Sequence, residues 1–331
     1  MRSNRLAAIQ RSGVFLLVMA AAAWMPATAL AQAWPAKPIT FVAPFPPGSA
    51  AEVIGRIIGP KLTEAWGQPV LVEARQGVGG TIGADYVAKS APDGYTFLVG
   101  SSAETTVGVS LYRKIPYDTL RDFAPVIAVG PMPNVLVLHP EVPANSVAEL
   151  VALAKGKPKQ INFASSGNGT TSQLAMEMFK QQAGIDMNHI PYKGSQPAIT
   201  DTLGGRTSLM WGPLATVMTH VRAGKFRALA VSTARRAVAA PELPTMAELG
   251  YGNYEASLWW GLLAPAATSK EIVAKLNAEV NTIMQNADVR AQLVRNGVEP
   301  LGGTPEAYAA LLKSEIAKWA AVIKESGARV D

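Results

Sequence analysis

Apolar and β-branched residues along this chain fall into short runs that alternate with longer segments of helical periodicity. The first run, Ile39 to Phe45, reads ITFVAPF and predicts a strand, and residues 52–66 then carry apolar side chains at near-helical spacing. Strands are predicted at 70–72 and 95–99, with a helix between them at 80–89. This order is typical of an α/β fold in which helices cover both faces of a parallel sheet.

The alternation restarts near residue 130, where NVLVL at 134–138 predicts a strand and Ser146 with Glu149 forms the capping-box pattern of a helix start. Further strands are predicted at 161–164, 189–192, 207–211 and 228–232, and further helices at 172–183, 197–203, 269–286 and 305–326. Since the chain is too long for a single α/β unit of usual size, the restart predicts two lobes.

The N-terminus has the pattern of a secretory signal peptide. Arg2, Arg5 and Arg11 lie beside an uncharged apolar stretch at 13–24, and the small residues of Ala29-Leu30-Ala31 follow it. A membrane anchor is the alternative, but the apolar stretch is shorter than the ~20 residues that a spanning helix needs. We therefore predict a signal peptide over residues 1–31, cleavage after Ala31 and export to the periplasm.

The composition narrows the class of partner. The chain has no cysteine, so an exported form has neither disulfides nor a lipid attached at the cleavage site, and its length supplies a sufficient core without them. Its formal charge of +6 falls to +3 without the three arginines of the signal peptide. Because no dense basic stripe with interleaved aromatic residues is present, nucleic acid is not an expected partner, and the mild positive charge suits a small anion.

Two loops that join a strand to a helix are the main candidates for a binding site. Residues 44–52 (PFPPGSAAE) and 165–173 (SSGNGTTSQ) are rich in small and hydroxyl residues and each precedes a predicted helix. Ligands of open α/β sheets lie at the carboxyl ends of strands, where helix N-termini favour anions. Residues 100–103 (GSSA) offer a third such position. Ordinary capped connections and surface turns are the alternatives for all three.

No catalytic or metal-binding pattern is found. His139, His189 and His220 are isolated in the sequence and there is no cysteine, so neither a metal site nor a cofactor is expected. The second loop matches neither a phosphate-binding loop nor a nucleophile elbow. Trp259 and Trp260, with Tyr254, are interpreted as core or hinge packing, with a cleft wall for an aromatic ligand as the alternative.

Taken in order, several segments resemble the extracytoplasmic solute receptors of tripartite tricarboxylate transporters, the Bug family. The resemblance covers nearly all of the chain after residue 31. The segments that carry it are FPPG at 45–48, GVGG at 77–80, APDGY at 91–95, the stretch 165–205, RAGK at 222–225 with ALAVS at 228–232, and WG at 260–261 with APA at 264–266.

The resemblance implies a two-lobed periplasmic binding protein of type II, a Venus flytrap with mixed or parallel sheets, and not an enzyme. It implies one lobe from residues 32–133 and 255–331 and a second lobe from 134–254. The receptor is expected to be a monomer that captures a di-/tricarboxylate or an aromatic acid and delivers it to the membrane permease of a tripartite transporter. A ligand-sensing partner of a sensor kinase is the alternative, and a hydrolase using Ser166 or Ser172 is a third hypothesis.

The family's ligand-binding positions map onto both loops and two further residues. The implied set is Phe45, Pro46, Gly48, Ser49, Ala50, Glu52, Ser102, Ser165, Ser166, Asn168, Gly169, Thr170, Thr171 and Tyr192.

Three departures from the family pattern bear on the ligand. Ser49 and Glu52 stand where the family usually has glycine and aspartate, and Met210-Trp211-Gly212 stands where it usually has Met-Phe-Asp. Ala74-Arg75-Gln76-Gly77 replaces the common Asn-Arg-Pro-Gly. We expect the lost acid and the wide Trp211 to reshape the pocket.

Overall fold

The structure is a computed structural model and describes residues 34–328. The predicted signal peptide and its cleavage site after Ala31 lie outside these residues. The chain divides into a unit ending at Ala36 and a compact unit from Lys37 onward, which is the one described below. Within residues 34–328, no helix has both the length and the hydrophobicity needed to cross a bilayer.

The first half of the fold is built on a five-stranded mixed sheet, called sheet 1, with strand order β2-β1-β3-β10-β4. Its strands are β1 Ile39–Ala43, β2 Val70–Ala74, β3 Thr96–Ser101, β4 Phe123–Met132 and β10 Leu258–Pro265. Strand β1 pairs in parallel with β2 and β3, whereas β10 lies antiparallel between β3 and β4. The late strand β10 therefore completes a sheet that the first third of the chain begins.

The second half is built on sheet 2, with strand order β7-β6-β8-β5-β9. Its strands are β5 Asn134–Leu138, β6 Asn162–Ser165, β7 Asn188–Pro191, β8 Leu209–Pro213 and β9 Arg227–Val231. Strand β6 is parallel to β7 and β8, and β5 is antiparallel to β8 and β9. The α/β fold class with mixed sheets is thereby confirmed. We call the parts built on sheets 1 and 2 the first and second lobes. The residue boundaries of the lobes given above remain a prediction.

Helices lie against both sheets. They are α1 Ala50–Trp66, α2 Thr81–Ala88, α3 Gly108–Leu111, α4 Thr119–Asp122, α5 Val147–Gly156, α6 Thr171–Ala183, α7 Ser195–Leu203, α8 Leu214–Arg222, α9 Lys270–Gln285, α10 Ala287–Arg295 and α11 Pro305–Ser326. A 3₁₀ turn at Val78–Gly80 precedes α2, and a π turn at Ala103–Val107 precedes α3.

Local sequence signals explain where several helices begin. Ser146 accepts a hydrogen bond from the Glu149 N–H at 3.1 Å, as its capping-box pattern predicts. The Glu149 carboxylate bonds the N–H of Asn145, one residue before the cap, at 2.7 Å. Ser49 and Thr304 cap α1 and α11 in the same way. These caps fix the helix starts because the first turn of a helix has no internal partners for its N–H groups.

The last helix connects the two halves of the fold. Tyr308 and Leu312, near its start, belong to the core beside sheet 1. Trp319 and Ile323, near its end, lie in a core cluster with Phe179 of α6. The chain itself crosses between the sheets twice, at residue 133 and through residues 232–257. Residues next to these crossings, Met132, Asn134 and Leu258, line a cavity together with loop residues of both lobes.

Candidate functional site

A cavity of about 700 Å³ opens between the lobes, where the strand-to-helix loops of both sheets meet. Its first-lobe lining comes from the loop after β1, the end of β3 and the strands near the crossing: Phe45, Pro46, Pro47, Gly48, Ser49, Ala50, Ser101, Ala103, Met132, Leu258 and Trp260. Its second-lobe lining is Asn134, Ser166, Thr170, Thr171, Ser172, Gly194, Ser195 and Pro213. We call these two sets the first wall and the second wall.

The loop of the first wall is held by Glu52. One carboxylate oxygen of Glu52 accepts the Gly48 N–H at 2.5 Å, and the other accepts two N–H groups of Arg56 at 2.8 and 2.7 Å. The Gly48 N–H, followed by Arg56, keeps the pKa of Glu52 below its usual value. Gly48 has φ +82°, a conformation that favours glycine. Glu52 therefore shapes the loop, although it does not line the cavity.

Two aromatic rings form the deeper part of the first wall. Phe45 and Trp260 meet edge to face, with centroids 6.0 Å apart and planes at 74°. Trp260 lies on β10 opposite Ser101 of β3 and is 3% exposed. Its indole N–H has no hydrogen-bond partner among the described residues. Trp260 therefore forms part of the cleft wall, as the alternative interpretation of the aromatic residues proposed. Tyr254 belongs to the core instead, since it is buried and donates its hydroxyl to the Ala175 carbonyl at 2.7 Å.

Behind this wall lies a buried carboxyl group. Glu104 has no exposed surface, and it accepts both the N–H and the O–H of Ser101, at 2.5 and 2.6 Å. Burial raises the pKa of Glu104 from 4.5 to about 7. Ser101 lines the cavity, but its N–H and O–H groups point to Glu104. The neighbouring Ser102 is also buried, and its hydroxyl accepts the Trp259 N–H at 3.1 Å.

The second wall is made of hydroxyl groups and the starts of two helices. The Ser166 hydroxyl lies 2.9 Å from that of Ser195, and the Ser166 N–H donates to the Ser172 hydroxyl at 2.9 Å. Helix α6 begins at Thr171 and α7 at Ser195, and neither has an acidic residue in its first turn. The N–H groups of these first turns have no partners within their own helices. The wall therefore offers several donors to an anion.

Ser165 and His189 form a pair behind the second wall. The Ser165 hydroxyl is 2.6 Å from Nε2 of His189, whose ring stacks on Phe163 with centroids 4.8 Å apart. Burial lowers the pKa of His189 to about 4, so the ring is neutral at pH 7. Ser165 is fully buried and does not line the cavity. A nucleophile must reach its substrate, and this serine does not.

The lining of the cavity consists of uncharged groups. None of the side chains that line the cavity is ionisable to a charge at neutral pH. Residues 34–328 contain no cluster of three or more histidine, cysteine or acidic residues able to hold a metal ion. The walls instead present hydroxyls, amides and helix N-termini, which bind anions through hydrogen bonds and aligned dipoles.

The structure brings eight of the predicted positions to the cavity: Phe45, Pro46, Gly48, Ser49, Ala50, Ser166, Thr170 and Thr171. Six others lie outside the lining: Glu52, Ser102, Ser165, Asn168, Gly169 and Tyr192. Tyr192 donates its hydroxyl to Asp201 at 2.9 Å. Trp211 was expected to reshape the pocket, but it is fully buried and stacks on Tyr254 with centroids 5.8 Å apart. That expectation is wrong because the side chain of Trp211 belongs to the core.

Several lining residues were not among the sequence candidates. They are Pro47, Ser101, Ala103, Met132, Asn134, Ser172, Gly194, Ser195, Pro213, Leu258 and Trp260. Pro47, Ser101, Ala103 and Ser172 lie inside segments that the sequence had already marked. Met132, Asn134 and Leu258 lie where the chain crosses between the sheets. Strand pairing places Leu258 opposite Met132 and Asn134 opposite Pro213.

Comparison with known proteins gives consistent results. The model of the family described as "Tripartite tricarboxylate transporter family receptor" (TctC) matches residues 54–328. Protein BugT of Bordetella pertussis (strain Tohama I) is 40% identical over 331 residues, covering 100% of both chains.

Two solved structures of Rhodopseudomonas palustris proteins are similar along most of the chain. Rpa4515, solved with adipate, has 36% identity and a TM-score of 0.76 over 90% of this chain and 100% of that chain. MatC, solved with bound malate, has 30% identity and a TM-score of 0.72 over 88% of this chain and 100% of that chain.

Proposed function

This chain belongs to the tripartite tricarboxylate transporter receptor family, which includes the Bug proteins, and we propose that it captures a small carboxylate in its cleft and delivers it to a membrane permease. Members of this family are periplasmic solute-binding receptors and not enzymes. The predicted signal peptide agrees with that location. That the solute is a small carboxylate, and that the receptor delivers it to a permease, are the proposed steps.

The observation that carries the proposal is the second wall. Two helix N-termini without acidic first turns meet there beside the paired hydroxyls of Ser166 and Ser195. A hydrogen bond to a charged group contributes about 1.5–3 kcal/mol, and a helix dipole about 0.3–1 kcal/mol. Micromolar affinity corresponds to about 8 kcal/mol. Four or five such contacts therefore hold a carboxylate without any arginine or lysine.

Two similar proteins support a carboxylate as the solute. The Rpa4515 structure contains adipate and the MatC structure contains malate, and both share more than a quarter of their residues with this chain over nearly their full lengths. Adipate and malate are both aliphatic carboxylates. The second wall of the present chain has no charged side chain and many hydrogen-bond donors, which suits the same class of ligand.

Binding is proposed to close the cleft. A solute that contacts both walls has more partners when the lobes approach, and this difference in affinity shifts the population towards the closed form. The proposed contacts are the lining residues of the loop after β1 in the first wall and, in the second wall, Ser166, Thr170, Thr171 and Ser195. The closed form then presents a surface that the permease distinguishes from the open form.

Thermal unfolding of the purified protein tests capture. The protein is unfolded and refolded to remove carried solute and then mixed with a panel of mono-, di- and tricarboxylates and with neutral amides of the same acids. A carboxylate at 100 times its Kd stabilises the folded state by about 2.7 kcal/mol, which raises the midpoint by several degrees. Equal shifts for acids and amides, or none for either, would contradict carboxylate capture.

Delivery needs a separate measurement in cells. Deleting the gene should abolish uptake of a radiolabelled acid that shifts the midpoint, and the wild-type gene should restore it. Unchanged uptake together with lost transcriptional induction by that acid would replace delivery with the sensor-kinase role.

A further inference from the structure

The loop of the second wall, residues 165–173, is fixed at two glycines by side chains from its two ends. The Gly167 N–H donates to the Ser165 hydroxyl at 3.1 Å, and the Gly169 N–H donates to Oε1 of Gln173 at 2.6 Å. Both glycines have positive φ, +132° and +75°, so each lies at a sharp bend of the backbone. These two contacts therefore set the shape of the loop whose hydroxyls line the cavity.

His189 connects the two side chains that fix this loop. Its Nε2 lies 2.6 Å from the hydroxyl of Ser165, and its Nδ1 lies 3.3 Å from the amide nitrogen of Gln173. The ring lies on β7, opposite Phe163 of β6, and stacks on the Phe163 ring with planes at 17°. The first and last residues of the loop are thus joined through a side chain that belongs to neither the loop nor its helix.

The directions of these hydrogen bonds determine which nitrogen of the ring carries the proton. The Gly169 N–H can only donate, so Gln173 turns its amide oxygen to it and its NH₂ group to His189. Nδ1 of the ring must then accept, which leaves the proton on Nε2, where it is donated to Ser165. The Ser165 hydroxyl passes its own proton to the Gly167 carbonyl at 3.1 Å. Every donor meets an acceptor only with the neutral Nε2–H ring.

The surroundings of the ring favour this neutral form. Burial, followed by the charge of Lys180, lowers the pKa of His189 to about 4. Apart from His189, the strands β6 and β7 carry no titratable side chain, whereas α6 carries Lys180 and Glu177 and the turn before β7 carries Asp186. Both acids pair with Lys180, at 3.0 and 3.8 Å. A second proton on the ring would also point at the NH₂ group of Gln173, where no acceptor faces it.

We propose that His189 is a positioning residue of the second wall, which as the neutral Nε2–H tautomer joins Ser165 to Gln173 and holds the loop in the shape that receives a carboxylate. The ring itself does not line the cavity, so it acts through the loop and not on the solute. The part of the inference that concerns binding rests on the proposed function. The state of the ring and the order of the loop are measured without any solute.

Nitrogen NMR of protein labelled with ¹⁵N-histidine tests the tautomer. The chain has three histidines, so protein purified without a histidine tag gives three pairs of imidazole signals, and the pair missing from the His189→Gln variant is that of His189. We expect a protonated Nε2 and an unprotonated Nδ1, with no change between pH 8 and pH 5. A ring that carries its proton on Nδ1, or that becomes charged within this range, would overturn the proposal.

Amide hydrogen exchange of the solute-free protein, followed by NMR for each residue, tests the hold on the loop. His189→Leu keeps an apolar side chain of similar size and removes both hydrogen bonds. The N–H groups of Gly167 and Gly169 should then exchange at least about tenfold faster, because local opening becomes easier. The Gly48 N–H, which Glu52 holds in the first loop, is the matched control and should exchange at an unchanged rate.

Two conservative variants separate hydrogen bonding from simple packing. His189→Gln places an amide nitrogen as many bonds from the backbone as Nε2, so it keeps the donor for Ser165 and should protect Gly167 only. His189→Asn places an amide oxygen as many bonds away as Nδ1, so it keeps the acceptor for Gln173 and should protect Gly169 only. Equal exchange rates at both glycines in the two variants would reduce His189 to a packing residue.

Calorimetry with adipate and malate, the acids held by two similar proteins, connects the loop to binding. Affinity for whichever acid the wild-type protein binds should fall about tenfold in His189→Leu and stay unchanged in His220→Leu, which alters a histidine of α8 that does not line the cavity. Thermal unfolding midpoints establish that the variants are folded.

The outcomes separate the positioning role from the proposed function. Unchanged exchange at the two glycines, or unchanged affinity, in the folded His189→Leu variant would overturn the positioning role and leave carboxylate capture intact. Failure of the wild-type protein to bind either acid would count against the proposed function, while the exchange rates still decide whether His189 holds the loop.

Discussion

The two loops that face the cleft are built alike and differ in one charge. In each, a glycine with positive φ precedes the helix cap, Gly48 at +82° and Gly169 at +75°. In each, the third residue of the helix bonds the N–H of that glycine, Glu52 at 2.5 Å and Gln173 at 2.6 Å. The first loop thus uses a carboxylate where the second uses a neutral amide.

Both side chains fix their loop, but they differ in how favourable they leave the helix N-terminus for an anion. A side-chain oxygen at that position fixes the loop in both cases, since it satisfies an N–H that the helix leaves free. Only the carboxylate also cancels the positive end of its helix dipole. The neutral Gln173 therefore leaves α6 able to attract an anion, and Glu52 makes α1 a poorer site for one.

The largest expected effect is the pH dependence of stability caused by Glu104, the buried acid behind the first wall. The pKa of Glu104 is raised from 4.5 to about 7, so between these values the folded protein holds a proton that the unfolded chain has lost. Stability should therefore fall as the pH rises from 4.5 to about 7 and stay level above it, by at most roughly 3 kcal/mol. Glu104→Gln should remove this fall, as measured by urea unfolding across that range.

The groups that surround Glu104 do not obscure this measurement. Burial raises the pKa values of Tyr117 and Tyr308, which therefore stay neutral throughout the range. The pKa of Glu315 is also raised to about 7 by burial, so Glu315→Gln is the matched control. It should remove its own share of the fall in stability and leave the share of Glu104 in place. An equally steep fall in the Glu104→Gln variant would show that its carboxyl titrates normally.

Making the two loops identical in charge should nearly abolish binding. Gln173→Glu places a carboxylate beside the proposed anion site, where repulsion at ~6 Å and an effective dielectric constant of about 20 amounts to roughly 2–3 kcal/mol. The affinity for a carboxylate that raises the unfolding midpoint of the wild-type protein should fall by roughly 30-fold or more in calorimetry. The helix itself should tolerate the change, because an acid in the first turn is favourable there.

A charge-matched control lies on the same helix. Gln182→Glu adds the same charge near the exposed end of α6, outside the cavity lining, and should leave the affinity for the same carboxylate unchanged. A similar loss in both variants would attribute the effect to net charge and not to the loop.

Removing one donor from the second wall should have a smaller effect. Ser195→Ala deletes the hydroxyl that lies 2.9 Å from that of Ser166 and leaves the backbone N–H of α7 in place. The affinity for the carboxylate should fall about fivefold, the size expected for one hydrogen bond. Ser90→Ala removes a hydroxyl that bonds the Tyr86 carbonyl outside the cavity, and it should change nothing. Equal affinities in the two variants would exclude Ser195 from the contact.

The smallest expected effect is a gain. Glu52→Gln gives the first loop the neutral amide of the second loop, so adipate affinity should rise about threefold, and the gain should shrink in 1 M salt, where charges are screened. Glu64→Gln, at the other end of α1, is the control. A lower adipate affinity would instead mean that the carboxylate is needed to hold the loop.

The sequence predicted the two loops because their signals are local. Ser49 and the run from Thr170 to Gln173 are marked by caps, glycines and hydroxyls that can be recognised within nine residues. The two strands that no periodicity revealed, β4 and β10, contain proline and glycine and are buried on both faces, so they lack the alternation of a half-exposed strand. Trp260 and Leu258 reach the cavity only through the pairing of these strands.

Single positions within a predicted segment were harder to assign. Ser101 lines the cavity and Ser102 does not, because the chain passes from β3 into the π turn at that point. Ser165 ends β6 with its side chain turned to His189, and the next serine faces the cavity. Which of two adjacent serines faces the ligand depends on the register of the strand, and register is set by partners distant in sequence.

The position of β10 has a consequence for the order in which the protein matures. Sheet 2 is assembled from one continuous stretch of chain, residues 134–231, whereas β3 and β4 of sheet 1 are separated by a strand that begins only at Leu258. A chain synthesised from its N-terminus therefore contains all of sheet 2 before sheet 1 can close. During that interval the edges of β3 and β4 that later face β10 have no partner, which makes the first lobe the part of the incomplete chain most exposed to proteases and to aggregation.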